Sequence, residues 1–536
     1  MKKYLFVLFS FIAFSQPQTI EWQKSYGGLG DNSLRSIVQT SDGGYIMSGD
    51  TNCYVASGNQ SQGALNDDFW ITKINATGDI EWDNVYGGVS DEDYPRIKQT
   101  PDGGYIVAGS SISPVSGTKT IAPLNSSSDF WVLKLDSLGN IIWQKVIGGS
   151  SADSALCLEL TNDGGAIICG GSFSNISFNK SENRRGGDDY WVVKLDAMGN
   201  VEWDKTLGGN DPEIAVAIKQ TLDGGYIVGG SSYSNISGDK TEDNVSQTPN
   251  EFGFLNYDYW VVKLNATGQI EWQNTIGGNL DDHFADIIQT SDGNYVLLGT
   301  SWSNISGDKT ENTIAQTGCN YWLVKLNQNG EILWDKTIGG LTADYAKSIS
   351  QTSSNELLLV GFSYSGIGGY KTEPSRGDYD IWIVKLDSEG NFIWDKTYGG
   401  DDYDNGSILK QTSDNGYILG ASSQSYISGD KTVTNYPSTS YWILKLSPDN
   451  LATKQNSSSW FTYSPNPTSD IVSINFEKIQ EKVTVTISTL LGQIISKNNY
   501  YQTENLICSI DAESGIYFVT IETNEEKEET IKIIKK

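Results

Sequence analysis

From residue 19 onward, apolar and polar side chains alternate in short runs punctuated by Gly, Asp and Asn, and no segment repeats at the helical period. Such alternation predicts β-strands with one face turned inward. The run Ser36-Ile37-Val38-Gln39-Thr40 passes through Ser41-Asp42-Gly43-Gly44 into Tyr45-Ile46-Met47-Ser48-Gly49. Asp-Gly supplies the positive-φ residue that a tight hairpin demands. A long polar loop leads to an aromatic-Trp strand such as Tyr190-Trp191-Val192-Val193-Lys194-Leu195. A second tight turn, Asp196 to Asn200, then opens Val201-Glu202-Trp203-Asp204-Lys205. Each unit is therefore predicted to be a four-stranded antiparallel sheet. Its tight turns lie at one end and its longer loops at the other.

Tryptophan gives the period. One set is Trp22, Trp82, Trp143, Trp203, Trp272, Trp334 and Trp394; the other is Trp70, Trp131, Trp191, Trp260, Trp322, Trp382 and Trp442. Steps are 60 to 62 residues, except one of 69 where the fourth unit carries a longer loop. Self-similarity at this spacing means stacked sheets. The chain begins with a fourth strand, Thr19 to Lys24, and its last unit, ending at Tyr441-Trp442-Ile443-Leu444-Lys445-Leu446, lacks one. Strand numbers balance only if the first strand completes the last sheet, and ring closure removes the exposed edges of an open row. The expected fold class is all-β: a seven-bladed β-propeller closed by an N-terminal strand, followed by a small Ig-like β-sandwich.

The run Lys194-Leu195-Asp196-Ala197-Met198-Gly199-Asn200-Val201-Glu202-Trp203 resembles the tryptophan-docking repeat of quinoprotein propellers, a likeness of scaffold without a recognisable cofactor pocket. Ser41-Asp42-Gly43-Gly44-Tyr45 is similar to the Asp box of sialidases, which implies the turn geometry and no more.

Beyond the last Trp strand the rhythm stops at a polar linker, 451–459, and period-two alternation resumes in 460–536. Pro465-Asn466-Pro467, Leu491-Gly492-Gln493, Gly515-Ile516-Tyr517-Phe518-Val519 and the basic end Lys532-Ile533-Ile534-Lys535-Lys536 follow in order. This order is similar to the type A C-terminal sorting domain of the type IX (Por) secretion system. The resemblance implies handling by that machinery, passage through the periplasm of a Gram-negative bacterium, and delivery to the outer-membrane surface or beyond.

The N-terminus agrees. Lys2-Lys3 precede the apolar run Tyr4 to Phe14, and Ala13 and Ser15 place small residues before Gln16, a signal-peptidase pattern that predicts cleavage between Ser15 and Gln16. The expected boundaries are signal peptide 1–15, propeller 16–450, linker 451–459 and sorting domain 460–536. No later apolar run is long enough to span a bilayer.

Charge narrows the partners. The 37 Lys+Arg against 66 Asp+Glu give −29, which argues against nucleic acid. One histidine, His283, leaves Ser-His-Asp and zinc-His mechanisms without support. Cys157 and Cys169 stand symmetrically about Asn162-Asp163-Gly164, where a disulfide is possible in an oxidising compartment. Because other units hold Ser, Arg, Ala, Gly or Leu there, we read the pair as small core residues.

Two features mark the long-loop face. Asp31, Asp91, Asp153, Asp211, Asp281, Asp344 and Asp402 follow the Gly-Gly pairs and are expected to form an acidic rim. Oxygen donors of this kind suit calcium, with Asp31, Asp91, Asp281 and Asp402 the candidates; the competing reading is loop capping. Phe173, Tyr233, Trp302 and Tyr364 end the second strand in four successive units and could serve a carbohydrate surface or inter-blade packing. The sequence thus reads as an exported, non-enzymatic binding protein for a glycan or protein ligand. The alternative is a secreted carbohydrate-active enzyme using carboxylates on the same face.

Overall fold

The computed structural model describes residues 19–247, 255–449, 456–457, 460–464, 468, 471–489, 493–513, 515–524 and 528–535. The signal segment with Ser15 and Gln16, and the sorting residues Pro465, Asn466, Pro467, Gly492 and Lys536, lie outside them. The chain divides into two compact units, Met1–Asp449 and Asn450–Lys536.

The first unit consists of seven four-stranded antiparallel sheets. The innermost strands run Asn32–Gln39, Glu92–Gln99, Asp153–Leu160, Glu213–Gln220, Asp282–Gln289, Asp344–Gln351 and Asp404–Gln411, numbering blades one to seven. The seventh blade takes its outermost strand from the chain start: Ile20–Tyr26 pairs antiparallel with Ser440–Leu446, Tyr26 opposite Tyr441 and Ile20 opposite Leu446. The ring is closed.

Side-chain period explains the packing. Third strands are buried along their whole length, and Trp70, Trp131, Trp191, Trp260, Trp322, Trp382 and Trp442 are all 0 % exposed. Each fits against an aromatic of the preceding blade where one exists. Tyr190 and Trp260 lie 4.9 Å apart, Tyr259 and Trp322 5.0 Å, and Tyr441 and Trp70 4.9 Å across the closure. Burying one such ring contributes about 2–3 kcal/mol.

The tight turns follow one rule. Asp42 Oδ1 accepts from the Thr40 hydroxyl at 2.5 Å and from Gly44 N–H at 2.9 Å, while Gly43 sits at φ +84°. Asn355 and Asn415 take the same left-handed position at φ +68° and +65°. A buried lysine then ties both hairpins of a blade together: Lys194 Nζ reaches Asp163 and Glu202 at 2.8 Å each.

Cys157 and Cys169 form a disulfide, contrary to the reading as separate core thiols. The physical reason is register: they face each other between the first two strands of blade three, with Cα atoms 5.3 Å apart, inside the spacing a disulfide spans. Comparison with other units misled, because a disulfide needs only its own pair of positions.

In the second unit the expected sandwich takes the form of one curled sheet of six strands. The 19-residue strand Ile471–Thr489 pairs along its first half with Phe461–Ser464, along its second half with Gly515–Thr523, and on its other edge with Ile494–Ser509. A register break between Asn475 and Gln480 lets one strand serve both parts. Val472, Val485, Leu506, Val519 and Ile533 fill the core inside the curl. Gly515 opens the strand that pairs with the terminal one, opposite Lys535; Tyr517 is buried and donates to Glu513 O at 2.6 Å; Lys535 donates to Ile510 O at 2.8 Å.

Candidate binding face

In every complete blade the first residue of the innermost strand, the last of the second and the first of the third stand side by side, as Asp153, Ser172 and Asp189 do. The long loops leave from this edge. Phe173, Tyr233, Trp302 and Tyr364 follow the second strand directly, and each is held by the same bond. Their backbone N–H groups donate to the carbonyls of Ala152, Pro212, Asp281 and Ala343 at 2.9, 3.1, 3.0 and 3.0 Å.

Three of the four belong to a continuous aromatic arc. Tyr233 stacks on Tyr257 at 3.7 Å; Tyr257 meets His283 at 4.9 Å; His283 meets Trp302 at 5.1 Å. Trp302 reaches Tyr345 at 5.9 Å, Tyr345 reaches Tyr364 at 6.3 Å, and Tyr364 reaches Tyr379 at 5.1 Å. Tyr379 ends the arc on Tyr403 at 4.9 Å. The rings span blades four to seven and stay partly open, with Tyr364 44 % and Tyr403 37 % exposed. Phe173, 45 % exposed, stands outside the arc. Sequence reading missed Tyr257, His283, Tyr345, Tyr379 and Tyr403, which come from other positions of the blade and meet only in space. Partial burial lowers the imidazole pKa of His283, with the Asp281 charge opposing. A cavity of about 310 Å³ opens beside the arc, lined by Tyr379, Tyr403, Arg35, Arg96 and Lys347.

The seven predicted acids do not share one ring. Asp153 and Asp344 begin their innermost strands and are fully buried; Asp31, Asp91 and Asp281 sit one residue earlier, Asp211 and Asp402 two. The loop spacing after Gly-Gly is fixed by the strand start, which the choice of nearest Asp ignored. Asp31 accepts from the Ser438 hydroxyl, Asp91 from Asn66, and Asp281 from Tyr257 N–H at 3.0 Å. Each clips a loop to the preceding blade. Asp402 accepts from Tyr403 N–H at 2.9 Å. Among the described residues no three acidic, Cys or His side chains are arranged to hold a metal ion.

The true repeat at this level is buried. Glu92, Asp153, Glu213, Asp282, Asp344 and Asp404 each accept from the second glycine of the preceding Gly-Gly pair, at 2.6 to 2.8 Å. Above them lie the buried lysines Lys119, Lys180, Lys240, Lys309, Lys371 and Lys431, from the recurring Ser-Gly-Asp-Lys-Thr loop and its variants. Blade one replaces both partners: Asn32 stands for the acid, Gln60 for the lysine, and the Thr51 hydroxyl lies 2.9 Å from each. Acid and base therefore change together within one molecule.

A second acid faces five of these carboxyls from the preceding blade: Asp68 with Glu92, Asp129 with Asp153, Asp189 with Glu213, Asp258 with Asp282, and Asp380 with Asp404. Burial first, and the neighbouring charge after it, pushes Asp258 up to about 8 and Asp380 up to about 6. At the sixth joint an amide settles the proton question, since Asn320 Nδ2 donates to Asp344 at 2.8 Å.

Residues 463–536 match the family model described as the secretion system C-terminal sorting domain. The regulatory protein FlaEY of Caulobacter vibrioides is 23 % identical over 343 residues, which are 58 % of this chain and 34 % of that protein, so the chain matches about a third of that relative's length. Among solved structures, the Pan2 WD40 domain of Neurospora crassa is similar at TM-score 0.42 and 11 % identity, over 77 % of this chain and 89 % of that one. A protein of unknown function from Dyadobacter fermentans is similar at TM-score 0.40 and 11 % identity, over 66 % and 95 %. No helix among the described residues is long and apolar enough to cross a membrane. The chain is a type IX secretion cargo with a β-propeller body, and its sorting domain implies export to the cell surface or the extracellular space.

Proposed function

We propose that the propeller is a non-enzymatic binding protein whose long-loop face receives an extracellular carbohydrate. The observation that carries this reading is the aromatic arc from Tyr233 to Tyr403, whose rings are linked across four blades while their edges remain open. Sugar rings present C–H faces that pack on aromatic side chains, and a rigid ring of sheets holds such residues in place without ordering them on binding. Of the acids beside the arc, Asp281 accepts from Tyr257 N–H and Asp402 from Tyr403 N–H.

A glycan array probed with the wild-type chain and with Trp302→Ala and Tyr364→Ala tests the proposal. Binding to a defined glycan set, weakened tenfold or more in both variants, supports it. Retained binding in both variants, or turnover of any bound glycan that one carboxylate substitution abolishes, overturns it.

A further inference from the structure

The bore of the propeller carries a charge opposite to that of the molecule. A second cavity of about 310 Å³ lies along the innermost strands, and its wall includes Arg96, Lys98, Lys219, Lys347 and Lys410. Asp286 is the carboxylate on that wall, and Glu159 adjoins it through Lys98 and Lys219, 3.1 Å from each. Five cations therefore face two carboxylates in a chain whose net charge is −29. Arg96 and Lys347 also line the cavity beside Tyr379 and Tyr403, so the cationic wall continues toward the arc; Arg35, on the same cavity, is ion-paired with Asp50 at 2.5 Å.

Three of the cations have no carboxylate ion-pair partner among the described residues. Arg96 donates Nε to the Leu156 carbonyl at 3.0 Å and a second nitrogen to Arg35 O. Lys410 Nζ donates to the Ile349 carbonyl at 3.3 Å. The Lys347 ammonium lies 5.5 Å from the Phe362 ring centroid. Asp286 forms no ion pair with them among the described residues; its Oδ2 accepts from the Ser348 hydroxyl at 3.0 Å and from Ile349 N–H at 3.1 Å, and its charge offsets theirs only in part. Like charges held together in a narrow, low-dielectric bore repel one another. Burial and the neighbouring Lys219 and Lys98 together bring the Lys410 ammonium down to about 8, with Asp286 opposing. An assembly of this kind is relieved when an anion enters it.

We infer that the bore is an oxyanion site in which Arg96, Lys347 and Lys410 hold a phosphate or sulfate group. Each of the three comes from a different innermost strand, in blades two, six and seven, so the site exists only in the closed ring. The guanidinium supplies paired donors and the two ammonium groups supply point charges, which matches a tetrahedral anion. The group is either a free inorganic anion or a sulfate borne by a saccharide lying on the arc. The inference does not depend on the carbohydrate reading.

Isothermal titration of the purified chain at pH 7 and constant ionic strength tests it with two probes, inorganic sulfate and a sulfated disaccharide. The expected result is one saturable site for inorganic sulfate, weakened tenfold or more in Lys347→Met/Lys410→Met. Non-saturating heats, or equal affinity in wild type and double variant, overturn the inference. Should the double variant not fold, Lys410→Gln is compared by melting in sulfate against chloride: a smaller sulfate-specific rise than in wild type supports the site, and an equal rise refutes it. Trp302→Ala separates the two proposals. Loss of the disaccharide alone identifies a saccharide-borne sulfate and supports the arc; unchanged binding of both probes identifies a free inorganic anion as the occupant and leaves the oxyanion site standing.

Discussion

The indole Nε1–H of Trp442 donates to Oε1 of Gln23 at 3.0 Å, although 419 residues of chain separate them. The same bond joins Trp191 to Asp204 and Trp260 to Gln273 within blades three and four. At the closure, then, a residue next to the chain start does what the neighbouring strand does elsewhere. Gln23 also accepts from Thr432 N–H at 3.1 Å and donates to the Asp430 carbonyl at 2.9 Å. Gln23→Ala leaves the buried indole N–H unpaired, so it should cost about 2 kcal/mol in denaturant unfolding. A loss below about 0.5 kcal/mol would mean that the first strand is not held as described.

The joint between blades gives a sharper test. Lys371 is 1 % exposed, its Nζ donates to the Thr397 hydroxyl at 2.6 Å, and the acids around it include Asp344 and Asp380. Removing one partner of a buried charge set leaves the other uncompensated, at about 3–5 kcal/mol. Lys371→Gln alone and Asp344→Asn alone should therefore each destabilise strongly. The double variant Asp344→Asn/Lys371→Gln copies the Asn32–Gln60 pair of blade one and should recover at least half of the summed loss. Additive losses would contradict the coupling.

Stability should depend on pH in a definite direction. Burial holds Asp68 and Asp258 at about 8, Glu213 at about 7, and Asp129, Asp189 and Asp380 at about 6. The folded chain thus binds protons that the unfolded chain, with carboxyls near 4, has already released. A raised carboxyl pKa favours the fold below the unfolded value and loses that contribution as pH rises through the folded one. Burial also lowers Lys180, Lys240, Lys309, Lys371 and Lys431 to about 8, so stability recovers above that pH. The turn carboxyls, Asp42 and Asp163 among them, sit at about 2 through their hydrogen bonds and lysine partners, and their contribution is lost in strong acid. The melting temperature should accordingly fall by several degrees between pH 5 and pH 8. Asn320→Asp, which adds a sixth carboxyl pair, should steepen that fall. A flat or rising profile over this interval would rule out the protonated joints.

The Cys157–Cys169 disulfide closes a loop of 12 residues in sequence. Closing a loop of that size constrains the unfolded chain by about 2–3 kcal/mol. Cys157→Ser/Cys169→Ser should lower the stability by that order in oxidising buffer, with no further change on adding reductant. Wild type should lose the same amount when reduced. Equal stability of oxidised and reduced wild type would contradict the cross-link.

The blades were legible because Trp and Asp-Gly recur at fixed offsets, and strand bookkeeping at the two ends forced the closure. The face was legible only in part. Trp302 and Tyr364 announced themselves by following the second strand, whereas Tyr257 and Tyr379 precede the third strand and Tyr345 lies within the innermost one. Their meeting is a consequence of adjacent blades, which no single repeat displays. The seven acids fall at three different offsets for a related reason: an Asp near Gly-Gly is common in the loops, but the residue that repeats structurally is whichever acid or Asn starts the strand, Glu92 and Asn32 included. The bore stayed hidden because Arg96, Lys347 and Lys410 belong to three different repeats and meet one cavity only through the closed ring.

All of these placements rest on the first strand, Ile20–Tyr26, completing the seventh blade. Amide hydrogen exchange measured residue by residue is the most direct check. Trp22 to Tyr26 should show protection equal to that of their partners Tyr441 to Lys445, and both segments should lose it together as denaturant is raised. Exchange of Trp22 to Tyr26 at the rate of an unstructured peptide, while Tyr441 to Lys445 remain protected, would contradict the closed ring.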